Sequence, residues 1–370
     1  MKKKLLLALL ACMMVFAFTA CGGNDEPADE GTDEGTAGIP AEDIKVGFIY
    51  IGPADDQGFS NSHDDARIKL EETLNVETTY LEEIPDNADS EKAIRDLIDM
   101  GCNVIVGCSF GYGDAMAKVA EEYPDIYFFH ATGNQSNDTN FVNFMGRMYK
   151  SRYLSGIAAG LQTESNQIGY VAAFGIPEVV RGINAFTLGV RSVNPDATVE
   201  VKWTGSWGDS AAEKTAAVEL VNNGCDVLTY HQDTTSTQLA AQEKGVYCVG
   251  YHYPTPDVAP DAYLTAAIWD WSPYYIDQIQ KIIDGTWTPE NYWGEEVVAL
   301  DNLSELCNAD AQAKIDEAKA QLDSGDWDVF NGPINDQEGN EKVAEGKAMT
   351  DEEMLSFDWF VEGVKGSIEN

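Results

Sequence analysis

Leu97-Ile-Asp-Met-Gly-Cys-Asn-Val-Ile105 and Leu220-Val-Asn-Asn-Gly-Cys-Asp-Val-Leu228 are one phrase written twice, 220 − 97 = 123 residues apart. Lys45-Val-Gly-Phe-Ile-Tyr-Ile-Gly52 has its counterpart in Ile168-Gly-Tyr-Val-Ala-Ala-Phe-Gly175, at 168 − 45 = 123. Asp125-Ile-Tyr-Phe-Phe-His130 is echoed by Gly245-Val-Tyr-Cys-Val-Gly-Tyr-His252, with the histidines 252 − 130 = 122 apart. Segments aligned at one large offset identify an internal repeat of a whole domain, not a short solenoid unit. Within the first copy, apolar runs at 45–52, 76–81, 103–108 and 126–130 alternate with helical patterns ending near 74, 100 and 123. Continuous apolar strands alternating with helices predict an α/β fold, a parallel sheet covered on both faces. The expected molecule is therefore two similar doubly wound lobes joined by a hinge, with a ligand in the cleft between them.

The lobes are placed at 43–150, with a return segment at about 265–300, and at 151–264, with a C-terminal segment at about 301–370. Between the copies, 149–161 combines small residues with a helical period and suits a helix packed near the junction. Further on, 262–267 reads as extended, 271–283 as helical, 296–300 as a strand, 303–322 as an amphipathic helix and 329–339 as a strand and turn. The chain is expected to close with a capped helix over 350–366, because Thr350-Asp-Glu-Glu353 fits a capping box.

The 370 residues exceed one ordinary domain, and 44% hydrophobic residues suffice for real cores. The formal net charge of −40 argues against nucleic acid or anionic lipid as a surface partner, since both would be repelled. Met1-Lys-Lys-Lys4, an apolar run from Leu5 to Thr19 and Phe18-Thr-Ala-Cys21 form a secretory signal over 1–20 that resembles a lipoprotein lipobox. In such signals the cysteine, here Cys21, carries lipid and becomes the new first residue, tethering the protein outside a membrane. Residues 21–42 are a Gly-, Asp-, Glu- and Thr-rich spacer that cannot build a core. Cys102, Cys108, Cys225, Cys248 and Cys307 remain; they are read as buried thiols without a disulfide framework.

The sequence carries no Gly-x-Ser-x-Gly elbow, Walker loop, His-Glu-x-x-His or Gly-x-Gly-x-x-Gly after the first strand. The histidines His63, His130, His231 and His252 match no zinc spacing. No enzyme activity, cofactor or metal is expected, and hydrogen bonding is the expected role of the histidines. Aromatics carry more information. Phe59, Phe110, Tyr112, Trp207 and Tyr253 fall on loops that follow strands, and Trp269 and Trp271 lie near a crossover. Ligands of open α/β sheets bind at the carboxyl ends of strands. Trp207, in Val201-Lys-Trp-Thr-Gly-Ser-Trp-Gly-Asp209, stands on such a loop just before a helix expected from about Ser210. Aromatics from both halves suggest a flat ligand held between rings, with Asp56, Asn61, Glu178, Asp233 and His252 reading its edge. Helix capping is the competing role for Asp56 and Asp233.

Gly52-Pro-x-x-Asp-x-Gly-Phe59, Ser109-Phe-Gly111, Arg147-x-Tyr-x-x-Arg-Tyr-Leu-x-Gly156, Ile176-Pro-Glu-Val179, Gly205-Ser-Trp207 and Ala-Ala-x-x-Lys-Gly-Val-Tyr at 240–247 together resemble the basic membrane protein family. These are lipoprotein substrate-binding components of ABC importers with a type I periplasmic-binding-protein fold. The resemblance implies a monomeric receptor that closes on a purine nucleobase or nucleoside and delivers it to a permease. It implies Phe59 and Trp207 as the stacking pair. Asn61, Phe110 and Gly111 would line the first lobe, and Glu178, Asp233 and His252 the second; Tyr112 and Trp271 complete the expected set. Nucleoside-binding members carry an Ala-Gly-rich loop and Gly-x-Asp-x-Asp where this chain has Tyr230-His-Gln-Asp-Thr-Thr-Ser-Thr237 and Gly250-Tyr-His-Tyr-Pro254. Those departures fall where ribose would be held; they leave both a nucleoside and a free base such as adenine open. The competing readings are a sugar or sensor ligand, and a nucleoside hydrolase using Asp55, Asp56 and His252.

Overall fold

The computed structural model describes residues 38–369. The expected signal, Cys21 and most of the acidic spacer lie outside the described residues. The first repeat builds β1 (Lys45–Tyr50), α1 (Phe59–Leu74), β2 (Glu77–Leu81), α2 (Ala88–Asp99), β3 (Val104–Cys108), α3 (Gly113–Glu122), β4 (Tyr127–Ala131) and β5 (Phe141–Gly146). After α4 (Met148–Gln162), the second repeat builds β6 (Gln167–Ala172), α5 (Pro177–Val193), β7 (Thr198–Trp203), α6 (Ser210–Asn222), β8 (Val227–His231), α7 (Ser236–Lys244), β9 (Tyr247–His252) and β10 (Tyr263–Trp269). The remainder is α8 (Ser272–Ile283), β11 (Tyr292–Gly294), β12 (Val298–Leu300), α9 (Ala311–Ser324), β13 (Ile334–Asn335), β14 (Glu341–Val343), α10 (Asp351–Leu355) and β15 (Val364–Lys365).

The first sheet has the order β11-β5-β4-β3-β1-β2 and the second β12-β10-β9-β8-β6-β7-β15. The repeat is thus structural: β5-β4-β3-β1-β2 and β10-β9-β8-β6-β7 are the same arrangement. Even the turn inside the repeated phrase is the same. The Cys102 and Cys225 N–H groups donate to the Leu97 and Leu220 carbonyls, 3.1 Å each. Gly101 and Gly224 take φ of 89° and 103° there, a conformation only glycine adopts freely. The central strands β3 and β8 are buried throughout, as strands covered on both faces must be. Cys102, Cys108, Cys225 and Cys248 are buried and Cys307 half-buried, all as free thiols.

Three segments cross between the lobes, at Gly146–Met148, Trp269–Ser272 and Gly294–Val298. They meet around Gly146, where a Cβ would stand 2.6 Å from Trp269 and 2.8 Å from Val297 side-chain atoms. The Arg147 N–H donates to the Gly294 carbonyl (2.7 Å) and the Asp270 N–H to that of Val297 (2.9 Å). The return segment expected at about 265–300 is therefore narrower. β10 and β12 belong to the second sheet, and only α8 and β11 go back to the first lobe. The helix expected over 149–161 is α4, pressed against α5. A Cβ at Gly189 would lie 2.8 Å from the Tyr153 carbonyl carbon, so glycine sets how closely these helices approach.

Three expectations change. The helix expected over 303–322 starts only at Ala311, because Ser304 N–H and Oγ bond back to Leu264 and Tyr263 carbonyls. The 329–339 stretch is largely irregular, with β13 only two residues long. The expected 350–366 helix stops at Leu355, although its capping box forms between Thr350 and Glu353 as read. Beyond it Phe357, Phe360 and Val361 turn into the second-lobe core. Asn184 holds the bend, accepting from Val361 N–H (3.0 Å) and donating to the Trp359 carbonyl (2.8 Å). Tertiary burial there overrides the local helical signal. The strand β5 was not expected; its apolar run is interrupted by Asn143.

Candidate functional site

A narrow cleft cavity opens where the two sheets present the carboxyl ends of their strands. The first lobe supplies Ile51 after β1, Phe59 at the start of α1, Ser109 and Phe110 after β3, and Thr132 after β4. The second supplies Glu178 at the start of α5, Trp207 after β7, His231 and Asp233 at the end of β8, and His252 at the end of β9. This is the position at which parallel α/β sheets bind ligands.

The lobes touch over the cavity. Gly58 lies so close to the Asp233 backbone that a Cβ there would stand 3.0 Å from the carbonyl carbon. Tyr253 Oη donates to Asp65 Oδ2 across the cleft (2.8 Å). On the second-lobe side, the Asp233 N–H donates to the Trp207 carbonyl (2.8 Å), tying two cavity loops together. The arrangement is closed.

Of the ten residues expected at the site, Phe59, Phe110, Glu178, Trp207, Asp233 and His252 share this cavity. The other four stand elsewhere. Asn61 is on α1 and its amide donates to Asp65 (3.3 Å). Gly111 packs against Asp86. Tyr112 is fully buried in the first-lobe core, with its hydroxyl donating to the Ile84 carbonyl. Trp271 is fully buried behind the cavity, stacked on His63 (4.7 Å between centroids) and Trp269 (4.4 Å), with its N–H on Ser62 Oγ (3.1 Å). Ile51, Ser109, Thr132 and His231 line the cavity and were not in the expected set. A signal existed for His231, which ends the strand that matches β3. Asp56 acts as a cap, accepting from the Gly58, Ser60 and Asn61 N–H groups (2.7, 3.0 and 2.9 Å). Asp233 makes no such cap; its Oδ1 stands 3.2 Å from His252 Nε2.

The protonation of the site follows from burial. His231 and His252 are held well below the usual histidine range by desolvation, so both are neutral. Trp269 Nε1–H donates to His252 Nδ1 (3.0 Å). That nitrogen is therefore an acceptor, and the proton sits on Nε2, facing Asp233 and the cavity. Burial pushes the carboxyls of Glu178 and Asp233 up to about 7, and that of Asp56 to about 6, with help from the Asp233 charge. Near neutrality Glu178 and Asp233 can each offer a ligand an O–H donor or a carboxylate acceptor. The cavity lining thus combines aromatic side chains with polar groups that can donate or accept hydrogen bonds.

A family model described as ABC transporter substrate-binding protein PnrA-like matches residues 43–324. The chain belongs to that family. Members are substrate-binding proteins of ABC transporters, which implies a small-molecule ligand and a permease partner. This PnrA-like chain is 39% identical over 334 residues to a purine-binding protein of Brucella abortus, covering 89% of the chain and 95% of the relative. It is 37% identical over 357 residues to a putative ABC transporter glucose-binding protein of Haloferax volcanii, covering 93% and 89% respectively. The solute-binding protein of an Aeropyrum pernix ABC transporter system shares the fold, with a TM-score of 0.68 at 18% identity over 79% of this chain and 93% of that one.

Proposed function

We propose that this substrate-binding protein captures a purine nucleobase or nucleoside outside the cell membrane and hands it to an ABC permease. The observation that carries the reading is the convergence, in one interlobe cavity, of Phe59 and Phe110 from one lobe with Trp207, Glu178, Asp233 and His252 from the other. Stacking of a base on an aromatic contributes about 1–3 kcal/mol and tolerates any base. The His252 Nε2–H and the two titratable carboxyls then match the mixed donors and acceptors of a purine edge. The 39%-identical relative, itself named purine-binding, supports the same ligand class. Ligand bridging both lobes stabilises the closed form, and release follows opening about the three crossovers. No bond is made or broken. The protein is anchored through lipid on Cys21, which a Cys21→Ala variant found in the medium rather than in membranes would demonstrate.

Mass spectrometry of ligand released from protein purified without refolding tests the purine assignment, alongside a thermal-shift panel of adenine, adenosine, guanosine, inosine and glucose. A released purine and a purine-specific shift are expected. A shift with glucose alone would replace the assignment by the sugar reading. Turnover of adenosine or inosine would replace it by a hydrolase.

A further inference from the structure

The strand ends of the two lobes carry a matched irregularity. Tyr127 of β4 pairs with Val104 of β3, and Tyr247 of β9 with Val227 of β8. Val104 and Val227 hold the same place in the repeated phrase, 227 − 104 = 123 residues apart, so β4 and β9 are equivalent. At 132 − 127 = 252 − 247 = 5 residues further on stand Thr132 and His252. Both take a left-handed backbone, with φ of 58° and 70°, and both line the cleft cavity. Among the described residues, Thr132 is the one β-branched residue with positive φ, where it is a conformational outlier. Glycine or asparagine would adopt that backbone more readily, yet the chain places threonine there and glycine one residue later. Strain of this kind persists only where the surroundings enforce it, and it clusters at ligand sites.

Thr132 also faces a second space. On the hinge side of the narrow cavity lies an interlobe pocket of about 420 Å³, within the range of small-molecule sites. It shares Phe110, Thr132 and Glu178 with the cavity and adds Asn143, Arg181 and Trp293 among its walls. Thr132 is therefore at the neck between the two. Its N–H donates to the Phe144 carbonyl (2.9 Å), and its hydroxyl has no hydrogen-bond partner among the described residues. The Asn143 amide N–H donates to the Gln135 carbonyl (3.2 Å), which leaves its side-chain oxygen free to accept. Arg181 is engaged by the Met354 carbonyl (2.8 Å) and the Met145 sulfur (3.4 Å), and Glu178 on the same wall opposes its charge. The stretches 230–237 and 250–254 give His231, Asp233 and His252 to the narrow cavity and nothing to this pocket.

We propose that the ligand site runs past Thr132 into the hinge-side pocket. The solute then has two parts, a flat head in the narrow cavity and a neutral, hydroxyl-bearing substituent beyond the neck, with the Thr132 hydroxyl as a specificity-determining contact. This rests on the flat-ligand reading given above. The substituent is neutral because Glu178 and Arg181 oppose each other on the wall. It bears hydroxyls because a hydroxyl both donates and accepts, which suits the Asn143 oxygen and the Thr132 hydroxyl together. Thr132 is in this view the first-lobe counterpart of His252, strained so that its side chain meets the solute.

Calorimetric titration of the full chain with adenine and with adenosine, which differ by such a substituent, tests this. Wild type is expected to bind adenosine at least tenfold more tightly than adenine. Thr132→Val keeps the branched shape and deletes the hydroxyl; the adenosine-to-adenine ratio should fall about three- to tenfold, as for one hydrogen bond. Thr132→Gly should lower the ratio as well, without lowering the ligand-free thermal midpoint, because glycine takes this backbone freely. A purely structural threonine would lose midpoint and both affinities together. Equal wild-type affinities, or a ratio unchanged in Thr132→Val, would overturn the two-part site and leave the purine assignment standing. Binding of neither compound would overturn both.

Discussion

Gly58→Ala is the most direct probe of closure. In the closed arrangement the new Cβ would stand 3.0 Å from the Asp233 carbonyl carbon, 3.4 Å from its Cα, and closer still to its oxygen. All three atoms are backbone, so no side chain can swing aside. Overpacking of this kind costs about 1–3 kcal/mol. The cost falls on the closed form alone, because residue 58 belongs to one lobe and residue 233 to the other. A penalty on the binding-competent state is subtracted from the observed affinity, which gives a loss of about 5- to 150-fold. The ligand-free thermal midpoint should stay near wild type. Calorimetric titration with whichever purine the wild type binds supplies the affinity, and small-angle scattering with ligand reports whether the lobes still close. Unchanged affinity in a folded Gly58→Ala protein would show that Gly58 and Asp233 do not meet in the bound form, and the closure argument would fail.

Three further outcomes are expected. Trp207→Ala should weaken purine binding at least tenfold, about 1.4 kcal/mol of lost stacking, with an intact circular dichroism spectrum; equal affinity would remove Trp207 from the site. Trp269→Phe keeps an aromatic ring but deletes the N–H that fixes the His252 proton on Nε2. A several-fold affinity loss is expected together with a mixed-tautomer 15N signal from His252, and a single unshifted tautomer would refute the lock. Asp233 gives a pH test. Its folded pKa, raised to about 7 by burial, exceeds the unfolded value, so its contribution is full below about pH 4 and is lost as pH rises toward 7. The buried neutral histidines act in the opposite sense below about pH 6.5, so the informative quantity is a difference. Urea stability of Asp233→Asn relative to wild type should grow from pH 5 to pH 7, by at most about 1.4 kcal/mol per pH unit. A constant difference would mean that Asp233 titrates normally.

What the sequence disclosed and what it hid divide along a physical line. The repeat at an offset of 123 carries the strand order of both sheets, because the residues that fix strand ends and turns recur with it. Phe59, Trp207, Glu178, Asp233 and His252 were legible because loops after parallel strands open onto the cleft. Side-chain direction was not legible. Phe110 and Tyr112 share one 3-10 turn, which rotates about 120° per residue, so one faces the cleft and the other enters the core. Trp271 precedes α8 just as Phe59 opens α1, but its ring points back onto His63. The chain-terminal helix failed for a related reason. Its capping box is local and formed; what ends the helix is Asn184, more than 150 residues earlier in the chain, which no local pattern announces.

The sheet margins carry a consequence of their own. The outermost strands are β2 and β11 in one sheet and β12 and β15 in the other, of five, three, three and two residues. The longest, β2, is flanked by charge: its Glu77 pairs with Lys45 of β1 (2.6 Å), and Arg67 of α1 lies over its Tyr80 (5.1 Å). A long, flat, apolar margin would template strand addition by a neighbouring molecule; among the described residues none is offered. Together with a formal charge of −40, which keeps copies apart, this makes the described part of the native fold a poor template for polymerisation. The onset of fibrils or β-rich precipitates is therefore expected to track global unfolding rather than protein concentration in the native state.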